Sequence, residues 1–262
     1  MVSTAVSIIL SADYFILIML RMSGLVLSSP IFGRVNVPVI AKIGLVLSLG
    51  FLMFNIFPQT VAIHYTTLIG FVLVCAGELL LGMALAYVVN VFFSLTAFTA
   101  GQLIDMQIGF GIVNVFDAQN NTQVPMMGNV LNIMLILVFY TVNGHMRLIE
   151  IVYLTIERMP IGTLIISPTI GLTVVEIFVR SFMLGVMMAL PIIASGLTIE
   201  MGFGMLMRAV PQIHMFIVGI PLKMLVGLTL FSVTLPVFGR FSSRVFDELF
   251  LGIEKVFAGF IG

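Results

Sequence analysis

Long apolar stretches without charged residues constrain this chain most strongly. A charge at the centre of a lipid bilayer costs on the order of 3 kcal/mol, so such stretches are typical of membrane-spanning helices. An apolar first segment, 5–20, is interrupted only by Asp13. The charge-free runs that follow cover residues 43–77, 79–104, 118–146, 159–175, 181–199 and 224–239. We therefore predict an all-α integral membrane protein with about six to eight helices.

Composition supports that class and excludes others. Of the 262 residues, 61% are hydrophobic and 8% are charged, whereas about 25% are charged in soluble domains. The net charge is zero and no basic cluster occurs, which argues against a nucleic-acid partner because phosphates require a basic surface. The sequence thus predicts a membrane protein that does not bind nucleic acid.

Proline residues are predicted to mark the ends of the helices. Pro30 and Pro38 bound the end of the first helix, Pro58 divides the run 43–77, and Pro125 opens a further helix. Proline lacks the backbone N–H that a helix interior needs, so it favours helix boundaries.

The predicted helix lengths fit a bilayer poorly. Residues 68–104 would form a helix about 55 Å long, whereas residues 126–142 offer only about 17 residues. A span across about 30 Å of hydrocarbon takes about 20 residues. We therefore predict broken or re-entrant helices, which are tolerated where protein covers them or where they line water.

Charged residues inside the apolar stretches are candidate functional groups. Such residues serve as proton relays, ion sites or essential pairs. Because acids and bases are equal in number, at 11 each, salt bridges between helices or between subunits are the simpler interpretation. Glu176 and Arg180 stand four positions apart, a spacing that allows a local pair. The residues are Arg21, Glu78, Asp105, Glu176, Arg180, Arg208 and Lys223.

The segment 100–125 is the most polar part of the chain and separates two very apolar regions. Its glycines permit tight backbone approach, and its amides supply hydrogen bonds without net charge. Two interpretations are open, a solvent-exposed loop between helices and a plug or constriction; the residue types alone favour the loop. The candidate plug residues are Gln107, Gly109, Phe110, Gly111, Asn114, Asp117 and Pro125.

The C-terminal tail, residues 240–262, has an amphipathic pattern. Its apolar residues recur at helical spacing, with charged residues between them. Either the membrane surface or a partner protein could cover the apolar side. The apolar residues are Val245, Phe246, Leu249, Phe250, Ile253, Val256 and Phe257.

Residue patterns typical of catalytic and metal sites are missing. None of the histidines lies in an H-E-x-x-H helix, and Ser195, in Ile193-Ala-Ser-Gly196, lacks the first glycine of a G-x-S-G site. The lone Cys75 excludes a thiolate cluster within the chain. We therefore predict no catalytic residue, no metal and no cofactor. The alternative to a non-enzymatic subunit is a secondary transporter in which Glu78 and Asp105 couple protons to a small solute.

The order and spacing of short motifs resemble the FliR family of flagellar biosynthesis proteins, whose relatives also serve virulence-type secretion. The N-terminal motifs are Arg21-x-x-Gly24, Pro30-Ile-Phe-Gly33, Val37-Pro38, Gly77-Glu78-Leu-Leu-Leu-Gly82, Gly101-Gln102, Asp105-x-Gln107-x-Gly109-Phe110 and Gln123-x-Pro125. The later motifs are Asn143-Gly144-His145, Pro160-x-Gly162, Ala189-Leu190-Pro191, Pro211-Gln212, Gly219-x-Pro221 and Lys223. They extend over about three quarters of the chain.

The resemblance implies an export gate in the bacterial inner membrane, at the flagellar basal body. FliR-like proteins form a helical pore with FliP and FliQ subunits, beside FlhB and FlhA, through which unfolded flagellar subunits leave the cell. It further implies broken helical hairpins, FliP-like in residues 1–165 and FliQ-like in residues 166–262. The loop 106–125 is then expected to project into the pore as a plug.

Overall fold

The computed structural model describes residues 2–34, 36–57, 67–110, 125–165, 167–209 and 215–260. Every regular element in these ranges is helical. The α-helices are α1 (Val2–Ser28), α2 (Val39–Ile56), α3 (Leu68–Asn90), α4 (Thr96–Ile108), α5 (Met126–Thr141), α6 (Gly144–Arg158), α7 (Ile170–Ala209) and α8 (Met215–Ala258). A π-helical turn, Val91–Leu95, joins α3 to α4.

Four of the described helical stretches are long and apolar enough to cross a membrane. They are Val39–Ile56, Leu68–Ile108, Ile170–Ala209 and Gly219–Ala258. Helices α5 and α6 would add a fifth span if counted together, although they meet at an angle of 70°. Two residues separate them, and the second, Asn143, has a left-handed backbone with φ of 57°, which asparagine tolerates better than most residues. The prediction of an all-α integral membrane protein is confirmed.

The proline boundaries that lie in the described residues agree with the prediction. Helix α1 ends two residues before Pro30, and α2 begins directly after Pro38. Pro58 lies outside the described residues. Three further prolines, Pro191, Pro221 and Pro236, stand inside the two longest helices.

The predicted runs 159–175 and 181–199 do not correspond to separate helices. Helix α6 ends at Arg158, and α7 begins at Ile170 and continues past Glu176 and Arg180 to Ala209. Charged residues interrupt a hydropathy pattern, but they do not interrupt helical backbone hydrogen bonding. Residues 172–184 contain neither proline nor glycine, so nothing there ends the helix.

The described chain forms two compact units. The first comprises Met1–Val91, Val142–Ile177 and Glu248–Gly262. In it, α1 packs against α2 and α3, and the backbones of α1 and α3 meet where two glycines face each other. A Cβ atom on Gly24 would lie 2.5 Å from the Leu79 carbonyl oxygen, and one on Gly82 would overlap the Arg21 carbonyl oxygen. Only glycine permits this approach.

The second unit comprises Phe92–Thr141 and Phe178–Asp247. Its helices α4 and α5 pack together, with Gly101 against the backbone of Gly128. The rings of Phe93, Phe139 and Phe246 form a cluster with centroids 5.2–6.0 Å apart. The predicted division of the chain at residue 165 concerns similarity to two other proteins and stays a prediction.

The C-terminal tail belongs to α8, and its apolar residues are buried within the chain itself. Each of the seven residues of the amphipathic pattern is at most 8% exposed. In the first unit, the Arg147 guanidinium lies 4.2 Å above the Phe250 ring, and the Ser167 N–H donates to the Gly259 carbonyl over 2.9 Å. Neither predicted alternative, a membrane surface or a partner protein, covers these side chains. They are buried against other residues of the same chain.

Candidate functional site

A buried ion pair joins α1 to α3 in the first unit. Arg21 Nε lies 2.6 Å from Glu78 Oε2, and both side chains are 1% exposed. The two residues are 57 positions apart and come from the same short motifs as Gly24 and Gly82. The close approach of the two helices therefore brings the charges together and excludes solvent from them.

Backbone groups at and just after the end of α6 extend this network. Arg21 Nη1 donates to the carbonyl oxygens of Thr155 (3.2 Å) and Met159 (3.3 Å), and the positive charge suits the negative C-terminal end of a helix. The Gly162 N–H donates to Glu78 Oε1 over 2.8 Å. Both carboxylate oxygens of Glu78 are thus engaged, so the network braces α1, α3 and the turn that follows α6.

Asp105 lies at the end of α4 in the second unit and is 1% exposed. Its Oδ1 accepts a hydrogen bond from the Met127 N–H in the first turn of α5, over 3.2 Å. Its backbone carbonyl accepts from the Gly109 N–H over 3.0 Å. Gly109 is the C-cap of α4 and has a left-handed backbone with φ of 98°, which glycine adopts without strain.

The predicted plug is described only at its two ends. Gln107, Gly109, Phe110 and Pro125 lie within the described residues, whereas Gly111, Asn114 and Asp117 lie outside them. The Gln107 side chain packs directly on Gly196 of α7, where a Cβ atom would overlap it. Helix α4 therefore continues to Ile108, so the first residues of the predicted loop are helical and packed.

The remaining charges of the set lie on more exposed positions. Lys223 of α8 pairs with Glu200 of α7, with side chains 18% and 40% exposed. Glu176 pairs with Lys255 over 2.7 Å, and both are exposed. Arg180 and Arg208 are also exposed. The Glu200–Lys223 pair belongs to the second unit and the Glu176–Lys255 pair to the first.

Sequence reasoning missed several partners of these charges. No sequence pattern indicates that the partners would be Glu200, Lys255 and the carbonyls of Thr155 and Met159. They contact residues 23 to 138 positions away, and hydrogen-bond partners at such separations are set by the fold. The hydrogen bond of Asp105 to α5 did have a signal in the sequence. The proline before α5 has no side-chain acceptor for the N–H groups of the first turn, so another residue has to supply one.

An apolar cavity of about 190 Å³ lies in the second unit. Thr234 is its one residue with a side-chain hydroxyl, amide or charge, so the lining offers no charged group for acid–base chemistry. In the described ranges, no group of three or more His, Cys, Asp or Glu residues is placed to hold a metal ion. The cavity is lined by Ile104, Leu131, Met187, Met188, Pro191, Ile192, Phe231, Thr234, Leu235, Val237, Phe238 and Phe241.

Comparison with known proteins places the chain in one family of bacterial export proteins. The family described as "Bacterial export proteins, family 1" matches residues 12–249. A "Flagellar biosynthetic protein FliR" of Escherichia coli (strain K12) is 29% identical over 233 residues, which cover 88% of each chain. The protein of that name from Bacillus subtilis (strain 168) is 28% identical over 85% of this chain and 86% of its own. The one from Aquifex aeolicus (strain VF5) is 26% identical over 96% of each.

Proposed function

The chain belongs to family 1 of the bacterial export proteins, the FliR family, and from that premise we propose that it is a non-enzymatic subunit of the flagellar protein export gate. In this role it completes a helical pore with FliP and FliQ subunits in the bacterial inner membrane, at the flagellar basal body. FlhB and FlhA are the further partners, and unfolded flagellar subunits are the cargo. The contribution of the chain is geometric: it closes the ring and blocks the resting pore.

The length of the apolar helices carries this proposal. Helix α7 has 40 residues and α8 has 44, so they are about 60 and 66 Å long. Leu172 and Met205, near opposite ends of α7, are 76% and 70% exposed. A 60 Å helix would need a tilt of about 60° to fit in 30 Å of hydrocarbon, whereas membrane helices tilt by about 0–40°. Lipid therefore covers only part of this surface, and neighbouring subunits are needed for the rest.

The two halves of the chain have separate parts in the proposal. Residues 1–165 take the place of a FliP-like subunit, and residues 166–262 take that of a FliQ-like hairpin. The Glu200–Lys223 pair joins α7 to α8, which supports the assignment of these two long helices to the hairpin of the second part.

The segment 106–125 is the proposed plug. Its sequence is rich in amides and contains neither Lys nor Arg, so it would not attract anions into a closed pore. The hydrogen bond from Met127 to Asp105 supports the proposal, because a blocking segment needs a fixed attachment.

The geometry of Glu78 argues against the alternative of a proton-coupled transporter. A proton carrier must release and bind its proton in turn, with access to water on each side. Glu78 is 1% exposed, and its two oxygens are held by Arg21 and Gly162.

A secretion assay tests the proposed function. Cells that lack this chain are expected to release no flagellar subunits into the medium, and expression of the chain from a plasmid should restore release. Gly44→Ala is a matched expression control, because a Cβ atom at Gly44 meets nothing within 4 Å. Unchanged release from cells without the chain would contradict the proposal.

A further inference from the structure

We infer that Asp105 is the positioning residue of the plug, joining the last turn of α4 to the first turn of α5 through one carboxyl oxygen of its side chain. The inference rests on the proposed function, since it names the residue that fixes where the plug is attached. It follows from four observations in the second unit: how α5 begins, which residue caps it, how α4 ends, and how the two helices touch.

Helix α5 begins without a cap of its own. The Pro125 carbonyl accepts the first helical hydrogen bond, from the Asn129 N–H at 3.0 Å, so Pro125 occupies the N-cap position. N-cap residues are usually Ser, Thr, Asp or Asn, whose side chains accept a hydrogen bond from the first turn. A proline side chain has no acceptor. The N–H of Met127, a residue only 6% exposed, therefore needs an acceptor from elsewhere.

Asp105 supplies that acceptor from another helix. Its Oδ1 lies 3.2 Å from the Met127 nitrogen, across 22 positions of sequence. A carboxyl oxygen can accept a hydrogen bond from the N–H groups that the first turn of a helix leaves without a partner. The contact thus replaces a local cap with a link between α4 and α5.

The same residue also takes part in the end of α4. The Asp105 carbonyl accepts the hydrogen bond of Gly109, whose left-handed backbone terminates the helix. Asp105 therefore stands in the last turn of α4, and its side chain contacts the first turn of α5.

The Asp105 bond is part of a wider contact between α4 and α5. Gly101, four residues before Asp105, packs against the backbone of Gly128, next to Met127. This packing sets how closely the two helices approach. The Asp105 bond adds a directional link between them on the side of the segment.

The separation of the two ends can be measured in the assembled complex. Met106 and Met126 are 63% and 57% exposed, so Met106→Cys and Met126→Cys can carry nitroxide labels, with Cys75→Ser removing the one native cysteine. In the Asp105 protein, we expect strong dipolar broadening in the electron paramagnetic resonance spectrum. Asp105→Ala should lose that broadening and raise ion leak. Asp105→Asn, which keeps an oxygen acceptor, should retain most of it.

A second substitution separates positioning from simple stabilisation of α5. Pro125→Ser gives α5 a local cap and so supports folding of the Asp105→Ala chain. If Asp105 only stabilises the helix, Asp105→Ala/Pro125→Ser regains the broadening, and the inference is overturned. If Asp105 joins the two ends, the double variant assembles but its labels stay uncoupled. Pro125→Ser alone controls for the change at position 125.

Label coupling and ion leak, measured together, also separate the positioning role of Asp105 from the plug function of the segment. Replacement of residues 111–123 tests the plug directly. A leak from that replacement, together with unchanged coupling in Asp105→Ala, would overturn the positioning role and leave the plug standing. Lost coupling in Asp105→Ala, together with an ion-tight loop replacement, would keep the attachment and contradict the plug.

Discussion

Replacing residues 111–123 with a short Gly-Ser linker is expected to make the closed gate leak ions. The change keeps Asp105, Gly109 and Pro125, so the described ends of the segment stay as they are. It removes the bulk and the amide side chains that the proposal assigns to the seal. The measurement is ion flux through the purified complex in liposomes, compared with the parent complex at equal protein content.

A linker of the original length provides the matched control for this experiment. If side chains form the seal, a Gly-Ser segment of 13 residues leaks as well, although less than the short linker, because backbone alone fills part of the space. A loop-replaced complex as ion-tight as the parent would show that this segment is not the seal.

Glu78→Gln is expected to prevent most of the complex from assembling. The substitution leaves the Arg21 guanidinium buried, at 1% exposure, without its counter-charge. Removing one member of a buried pair costs about 3–5 kcal/mol, a large part of the 5–15 kcal/mol that stabilises a typical protein. The readouts are the yield of assembled complex after solubilisation and its thermal midpoint.

Two comparisons sharpen that prediction. Lys223→Met should cost less, because its partner Glu200 is 40% exposed and is less desolvated than Arg21. The double variant Arg21→Met/Glu78→Leu should assemble better than Glu78→Gln, because it removes both buried charges together. Normal assembly of Glu78→Gln with loss of export would instead indicate a transport role for Glu78.

Helices and their boundaries were predictable because their signals are local. Charge-free runs indicated most of the helical regions, and Pro38 and Pro125 stand directly before α2 and α5. The run 159–175 was misleading, because Glu176 interrupts hydropathy but not the helix. In this part of the chain, proline and glycine give the helix boundaries and charge does not.

Pairings between helices were not predictable from one sequence. The candidate list contained both Arg21 and Glu78, but their partnership depends on the close approach of α1 and α3, which the glycine motifs alone do not specify. The tail shows the same limit. The periodicity of the tail predicted correctly which side chains are buried. It did not predict what covers them, because their packing against the same chain depends on the fold.

The central claim is that this chain is a gate subunit whose long apolar helices need companion subunits. Native mass spectrometry of the complex purified through a tag on this chain tests that claim most directly. We predict a mass well above the 28.6 kDa of one chain. On activation in the mass spectrometer, the complex should dissociate into this chain and several copies of smaller membrane subunits. A well-folded monomer that carries no other polypeptide would contradict the account.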